Sequence, residues 1–193
     1  MTREEWLHLV TDTHLRPLFT GKGHDVPVKV RIGVGWPSKR ALSNKNRRIG
    51  EAWSEQCSED QTHEIILSPC LADPSRVVDV LIHELVHVTV GIKHGHKKPF
   101  SVCAKAVGLV KPWTATTASP ELVAQIAAWL KALPAYPHGM LSSVSQGKPE
   151  GTRMLLLECG DCGLKIRSTQ KWIDEYGPRW PCPCGGKLEH VPT

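Results

Sequence analysis

The chain has 193 residues, 40% of them hydrophobic, with a formal net charge of +5 and an isoelectric point near 8.9. That length holds one domain with a genuine core plus a small appendage, and the apolar fraction excludes disordered and fibrous classes. The positive balance is compatible with contact to nucleic acid but too mild to establish it. The opening Met1-Thr2-Arg3-Glu4-Glu5-Trp6 carries two acids and no long apolar core, so it is no secretory signal, and no stretch has the charge-free apolar length of a membrane span. A soluble, cytoplasmic protein without a membrane partner is expected. Seven cysteines are an odd number, and four crowd into residues 159–184 as close pairs, which suits metal binding better than a disulfide framework. Cys57, Cys70 and Cys103 stand alone and read as small core residues.

Thr2 followed by Glu5 is a capping-box pattern, and Trp6, Leu9, Val10, Leu18 and Phe19 give an apolar face to a first helix reaching about Pro17, closed by Gly21 and Gly23. Val26 to Val34 alternates apolar and polar, the period of a half-buried strand. Trp36-Pro37-Ser38 breaks it, and Lys39, Arg40, Lys45, Arg47 and Arg48 make a basic loop that is either simply solvated or a phosphate contact. Ile49 to Ser54 and His63 to Leu67 are further strands, the second ended by Ser68-Pro69. Three strands between helices predict an α+β domain with a small, mainly antiparallel sheet packed on helices.

Asp73-Pro74 starts a helix and Gly91 stops it. The segment between is rich in valine and isoleucine, which favours a strand, but it is long for a strand and its terminal signals are helical. Apolar residues on nearly all sides mark a central, buried helix. It carries His83-Glu84-Leu85-Val86-His87. Residues four apart share a helix face, so two imidazoles can meet one zinc ion, and Glu84 beside them can take a proton from a water that the metal activates. A helix from Pro99 to about Gly108 and another from Ser119-Pro120 to Leu133 follow, and Pro134 to Thr152 reads as a linker. The domains are then 1–133, a linker at 134–152, and 153–193.

The last segment carries Cys159-Gly-Asp-Cys162 and, after 19 residues, Cys182-Pro-Cys184-Gly-Gly. The first pair is a knuckle that points two thiolates at one zinc, and the separation suits a zinc ribbon. The second pair is one residue short, so His190 is an alternative to one of its thiols. Four thiolates close a structural zinc site and leave no position for chemistry.

A catalytic zinc takes three protein ligands, and the candidates downstream of His87 are His94 and His96. Metzincin spacing is excluded, because Val90 and Lys93 stand where that pattern wants Gly and His. The arrangement resembles the SprT-like, or Spartan-like, metalloprotease family, in which the HExxH helix is followed by a Gly-His element and an aromatic residue four positions later. Here that element is Gly95-His96-Lys97-Lys98-Pro99-Phe100, with Lys97 where the family often has Gly. The order of parts, ending in a ribbon with Cys184-Gly185-Gly186-Lys187-Leu188, is also similar. The resemblance implies a zincin-like fold, His96 as third ligand, Phe100 packed in the next helix and His94 outside the ligand set. It further implies a zinc endopeptidase acting on protein substrates, including proteins attached to DNA, and switched by DNA.

The residues themselves supply a narrower mechanism: one catalytic zinc on His83, His87 and His96, Glu84 as base and then acid, and one structural zinc on Cys159, Cys162, Cys182 and Cys184. His94, a residue of the basic loop, or Tyr136 are candidates to steady the developing oxyanion. The competing function is a nucleic-acid-binding or transcription-associated module. In it the ribbon and loop work, Arg47 and Arg48 meet phosphate, Trp172 or Trp180 stack on bases, and the HExxH site is silent. A zinc-stabilised adaptor is the plainest alternative.

Overall fold

The computed structural model describes residues 1–43, 45–142 and 154–191, which fall in two units, Met1–Ser143 and Val144–Thr193. In the first, Thr2 and Glu5 form the capping box that their spacing predicts: Thr2 N–H donates to Glu5 Oε2 at 2.7 Å and Glu5 N–H to Thr2 Oγ1 at 3.1 Å. Helix α1 (Arg3–Val10) runs through a π turn at Thr11–Leu15 into α2 (Arg16–Thr20). Thr11 and Thr13 donate their hydroxyls back to Leu7 and Leu9 carbonyls, at 2.7 and 2.6 Å, which loosens the α ladder there. The π turn adds one residue, so that Leu15 and Phe19 face the same core as Trp6, Leu7 and Val10.

Strand β1 is shorter than the alternation predicts, Val30–Val34 rather than 26–34. Arg16 donates to the carbonyls of Val26 and Val28, taking them from any ladder, and Val28 is 89% exposed. Strand β2 (Gly50–Trp53) and strand β3 (His63–Leu67) complete a sheet in the order β1-β3-β2. The sheet is mixed, not mainly antiparallel as the sequence suggested: β1 pairs parallel with β3, Val30 opposite His63, and β2 pairs antiparallel with it, Gly50 opposite Leu67. The long basic loop carries the chain past the central position to the far edge. A 3₁₀ turn at Glu55–Cys57 then brings it back between the two strands already laid down. Local alternation finds strands but not which strand lies between which.

Helix α3 (Pro74–Val90) packs on this sheet. Asp73 accepts from the N–H groups of Ser75 and Arg76, and Gly91, at φ +92°, ends the helix. Val77, Val78, Leu81, Ile82, Leu85 and Val86 are almost wholly enclosed. Each such side chain contributes about 1.5–3 kcal/mol on burial, enough together to override the strand propensity of a valine-rich segment. Helix α4 (Lys98–Ala106) brings Phe100 beneath α3, and helix α5 (Pro120–Ala132) is capped by Ser119. Between them a two-stranded ribbon, β4 (Leu109–Val110) with β5 (Thr117–Ala118), fixes the buried Thr116.

The linker expected at 134–152 divides. Residues 134–142 belong to the first unit: Trp6 Nε1 donates to the Pro134 carbonyl at 2.8 Å, Tyr136 packs on Trp6, and Leu141 N–H donates to the Pro69 carbonyl at 3.0 Å. Residues 143–153 lie outside the described chain, as does Asn44. The second unit is a four-stranded antiparallel sheet in the order β7-β6-β9-β8, from β6 (Met154–Cys159), β7 (Lys165–Thr169), β8 (Arg179–Pro181) and β9 (Lys187–His190). Helix α6 (Gln170–Tyr176) closes it over Leu157, Ile173 and Leu188. No helix among the described residues is long and apolar enough to cross a membrane.

Candidate metal centres

One helical turn of α3 sets His83 above His87, their ring centroids 5.0 Å apart. Gly91 and Gly95, both at positive φ, bend the chain back through the turn Ile92–His94, so that His96 meets them; its centroid is 5.3 Å from His83 and 4.8 Å from His87. Phe100, one turn into α4, lies 4.5–5.0 Å from all three rings and fixes them from one side. One nitrogen from each histidine falls within 4.8 Å of the others. His94 is not in this group. The backbone turn brings His96, and not His94, to His83 and His87.

The group suits a metal by its chemistry. His83 Nε2 and His96 Nε2 are 3.3 Å apart, and two nitrogens on a tetrahedral zinc, each about 2.0–2.1 Å from it, stand roughly 3.3 Å apart. His83 Nδ1 lies 2.8 Å from Thr116 Oγ1, so the tautomer that donates to this hydroxyl leaves the Nε2 lone pair free. All three imidazoles are held neutral. Burial brings His83 down to about 3, helped by His87, His96 and Arg76; burial, His96 and Arg48 bring His87 down to about 4; burial lowers His96. Neutral imidazole is the ligand form.

Glu84 lines the same cavity as the three histidines. Burial pushes its carboxyl up to about 8, the Arg48 guanidinium opposing the shift and Glu51 adding to it. Its place is made by Gly50 on β2: a methyl group there would overlap Glu84 Oε1 and come within 2.8 Å of Val80 Cγ1. A glycine inside a strand signals such an approach, but the sequence does not say to what. Thr116, 33 positions from His83, carries no local signal at all. The cavity, about 860 Å³, is also lined by Lys39, Arg40, Arg47, Arg48 and Arg76. Tyr136 and His94, named with the basic loop as candidates for the oxyanion, do not line it; Arg48 does.

In the second unit Cys159, Cys162, Cys182 and Cys184 converge, their sulfurs within 4.8 Å of one another. Three of the separations are 3.4–3.6 Å, far beyond a disulfide bond and near the roughly 3.8 Å expected for thiolates about 2.3 Å from one tetrahedral zinc. The short second pair makes the same turn with one residue fewer. Gly163 N–H donates to the Cys159 carbonyl and Gly185 N–H to that of Cys182, each at 2.9 Å, and both glycines have positive φ. Backbone N–H groups of Cys162 and Asp161 lower the Cys159 thiol to about 7. His190, the alternative ligand, is exposed on β9 and outside the group. Both units thus bring together residues that could hold metal ions.

No protein family, curated protein or solved structure matches the chain. The SprT-like resemblance therefore stands on the residues quoted for it.

Proposed function

We propose that the first unit is a zinc-dependent endopeptidase of the SprT-like class, hydrolysing peptide bonds in protein substrates that include DNA-associated proteins. The observation that carries this reading is the convergence of His83, His87 and His96 with Glu84 lining the same cavity. When held by the three imidazoles, zinc supplies Lewis acidity that polarises a carbonyl and activates water. The chain's own groups do the rest. A Glu84 oxygen accepts the proton of the attacking water and returns it to the leaving amine, a role suited to a carboxyl that lines the cavity beside the three imidazoles. Thr116 keeps His83 in one tautomer, and Phe100 fixes the rings. In the second unit, a zinc on four cysteines is structural.

The test is cleavage of an unfolded protein by the full chain and by Glu84→Gln, with and without single-stranded DNA. The variant is expected to retain zinc and lose cleavage; equal cleavage by both sinks the reading.

A separate observation favours nucleic-acid binding as a second reading. In the second unit Trp172, Tyr176, Trp180 and Arg179 line a mainly apolar cavity of about 720 Å³, with Trp172 and Tyr176 stacked at 5.5 Å and Lys171 Nζ 5.3 Å from the Trp172 ring. Exposed rings beside cations make a stacking platform for unpaired bases. DNA binding that falls steeply with salt and is lost in Trp172→Ala, without cleavage under any condition, would prefer this reading.

A further inference from the structure

The cavity holding His83, Glu84 and His87 carries five cationic side chains against two acidic ones, Glu51 and Glu84. Two of the five are fixed. Arg48 pairs with Glu51, 7% exposed, which itself accepts from the N–H and hydroxyl of Ser38 at 2.7 Å each. Arg76 pairs with Asp79, 6% exposed, one turn along α3. Each buried carboxylate is met by one terminal nitrogen, Nη1, of its guanidinium, and both arginines line the cavity, so further N–H donors remain for a ligand. Lys39 and Arg40 on the loop are exposed, and no ion pair among the described residues engages them. An arginine fork held in place loses little freedom when it takes a second carboxylate, and the loop cations add the field that draws one in.

We propose that this cleft takes acidic polypeptide segments, substrate carboxylates beside the scissile bond being received by Arg48 and Arg76 and steered by Lys39 and Arg40; the substrate class rests on the peptidase reading above. A nucleic-acid strand fits the same charge less well. Among the described residues the cavity lining includes no Phe, Trp or Tyr on which a base could stack. The two fixed arginines stand inside the cleft with the histidines and Glu84, where a scissile peptide must lie, rather than along an outer track for phosphates.

Zinc-loaded full-length Glu84→Gln, which cannot consume its ligand, is titrated with three labelled peptides that differ only in carrying Glu, Gln or Lys at the central positions, and with a thymidine oligonucleotide as competitor. The Glu peptide is expected to bind about ten-fold or more tighter than the Gln peptide at low salt, with the Lys peptide weakest. K39E/R40E should bring the Glu-to-Gln ratio close to one, and K39Q/R40Q should give an intermediate ratio. Equal binding of the Glu and Gln peptides overturns the proposal, as does displacement of the Glu peptide by an oligonucleotide whose own affinity falls in K39E/R40E. Cleavage of the three peptides by the wild-type chain is scored separately. If none is cut, the peptidase reading falls and the binding ratio is still decided on its own.

Discussion

The two candidate metal centres differ in what surrounds equally close-set ligand atoms. In the second unit the four sulfurs are wrapped by their own backbone: two tight turns closed by Gly163 and Gly185, with Gly186 so near Asp161 and Cys159 that a side chain there would collide with both. In the first, the three imidazoles are backed by Phe100, His83 is held by Thr116, and all three line a cavity with a carboxyl in it. Ligand convergence is thus common to both, and the cavity separates a group with room for a reacting molecule from one closed in by its own backbone.

That contrast can be broken most violently at the ribbon. Cys159→Ser, or chelation, should unfold the second unit, because structural zinc in such small modules supplies roughly 10–16 kcal/mol of folding free energy. Hydrogen exchange should lose protection across 154–191 and keep it in the first unit; retained protection would mean that Leu157, Ile173 and Leu188 suffice alone. The next largest effect belongs to the open centre, where Glu84→Gln should cost about 10²–10⁴ in cleavage rate with zinc retained. On the proposed reading, His96→Ala should lower the metal count per chain by one and His94→Ala should leave it unchanged. Thr116→Val keeps the shape of the side chain but not the hydroxyl facing His83, and should weaken zinc about 10–100-fold, with Thr116→Ser restoring it.

The smallest effect concerns the acids that hold the cleft arginines, which respond to pH in opposite senses. Burial raises the Glu51 carboxyl, but the Ser38 N–H and hydroxyl and the Arg48 guanidinium outweigh it, leaving Glu51 below its ordinary 4.5. Its contribution to stability is present above pH 4.5 and lost as pH falls through the lower folded value. Burial raises Asp79 above its ordinary 3.8 against the pull of Arg76, so its contribution is full below 3.8 and lost as pH rises through the higher folded value. Glu51→Gln should flatten the acid limb of thermal stability and Asp79→Asn should not; the same slope change from both would show that the two pairs are equivalent.

What the sequence revealed was whatever depends on near neighbours. Thr2 with Glu5, Asp73 with Pro74, His83 with His87, and each cysteine pair sit within one turn of chain, and the structure keeps them as read. The features it concealed are distant partnerships. β3 enters between two earlier strands, Arg16 withdraws the carbonyls of Val26 and Val28 from a strand that alternation extends to them, and Trp6 claims Pro134 from an apparent linker. At the site, Thr116, Gly50 and the arginine anchors escaped for the same reason, since each matters only for what folding sets against it.

Gly50 shows how far such a partnership reaches. Where its side chain would stand lies the Glu84 carboxyl, so the strand acts as a mechanical stop for that side chain. An alanine there would press on the far end of a flexible side chain, driving the carboxyl off its seat while the backbone stays. The reach of that carboxyl is thus gauged by an atom that β2 does not have.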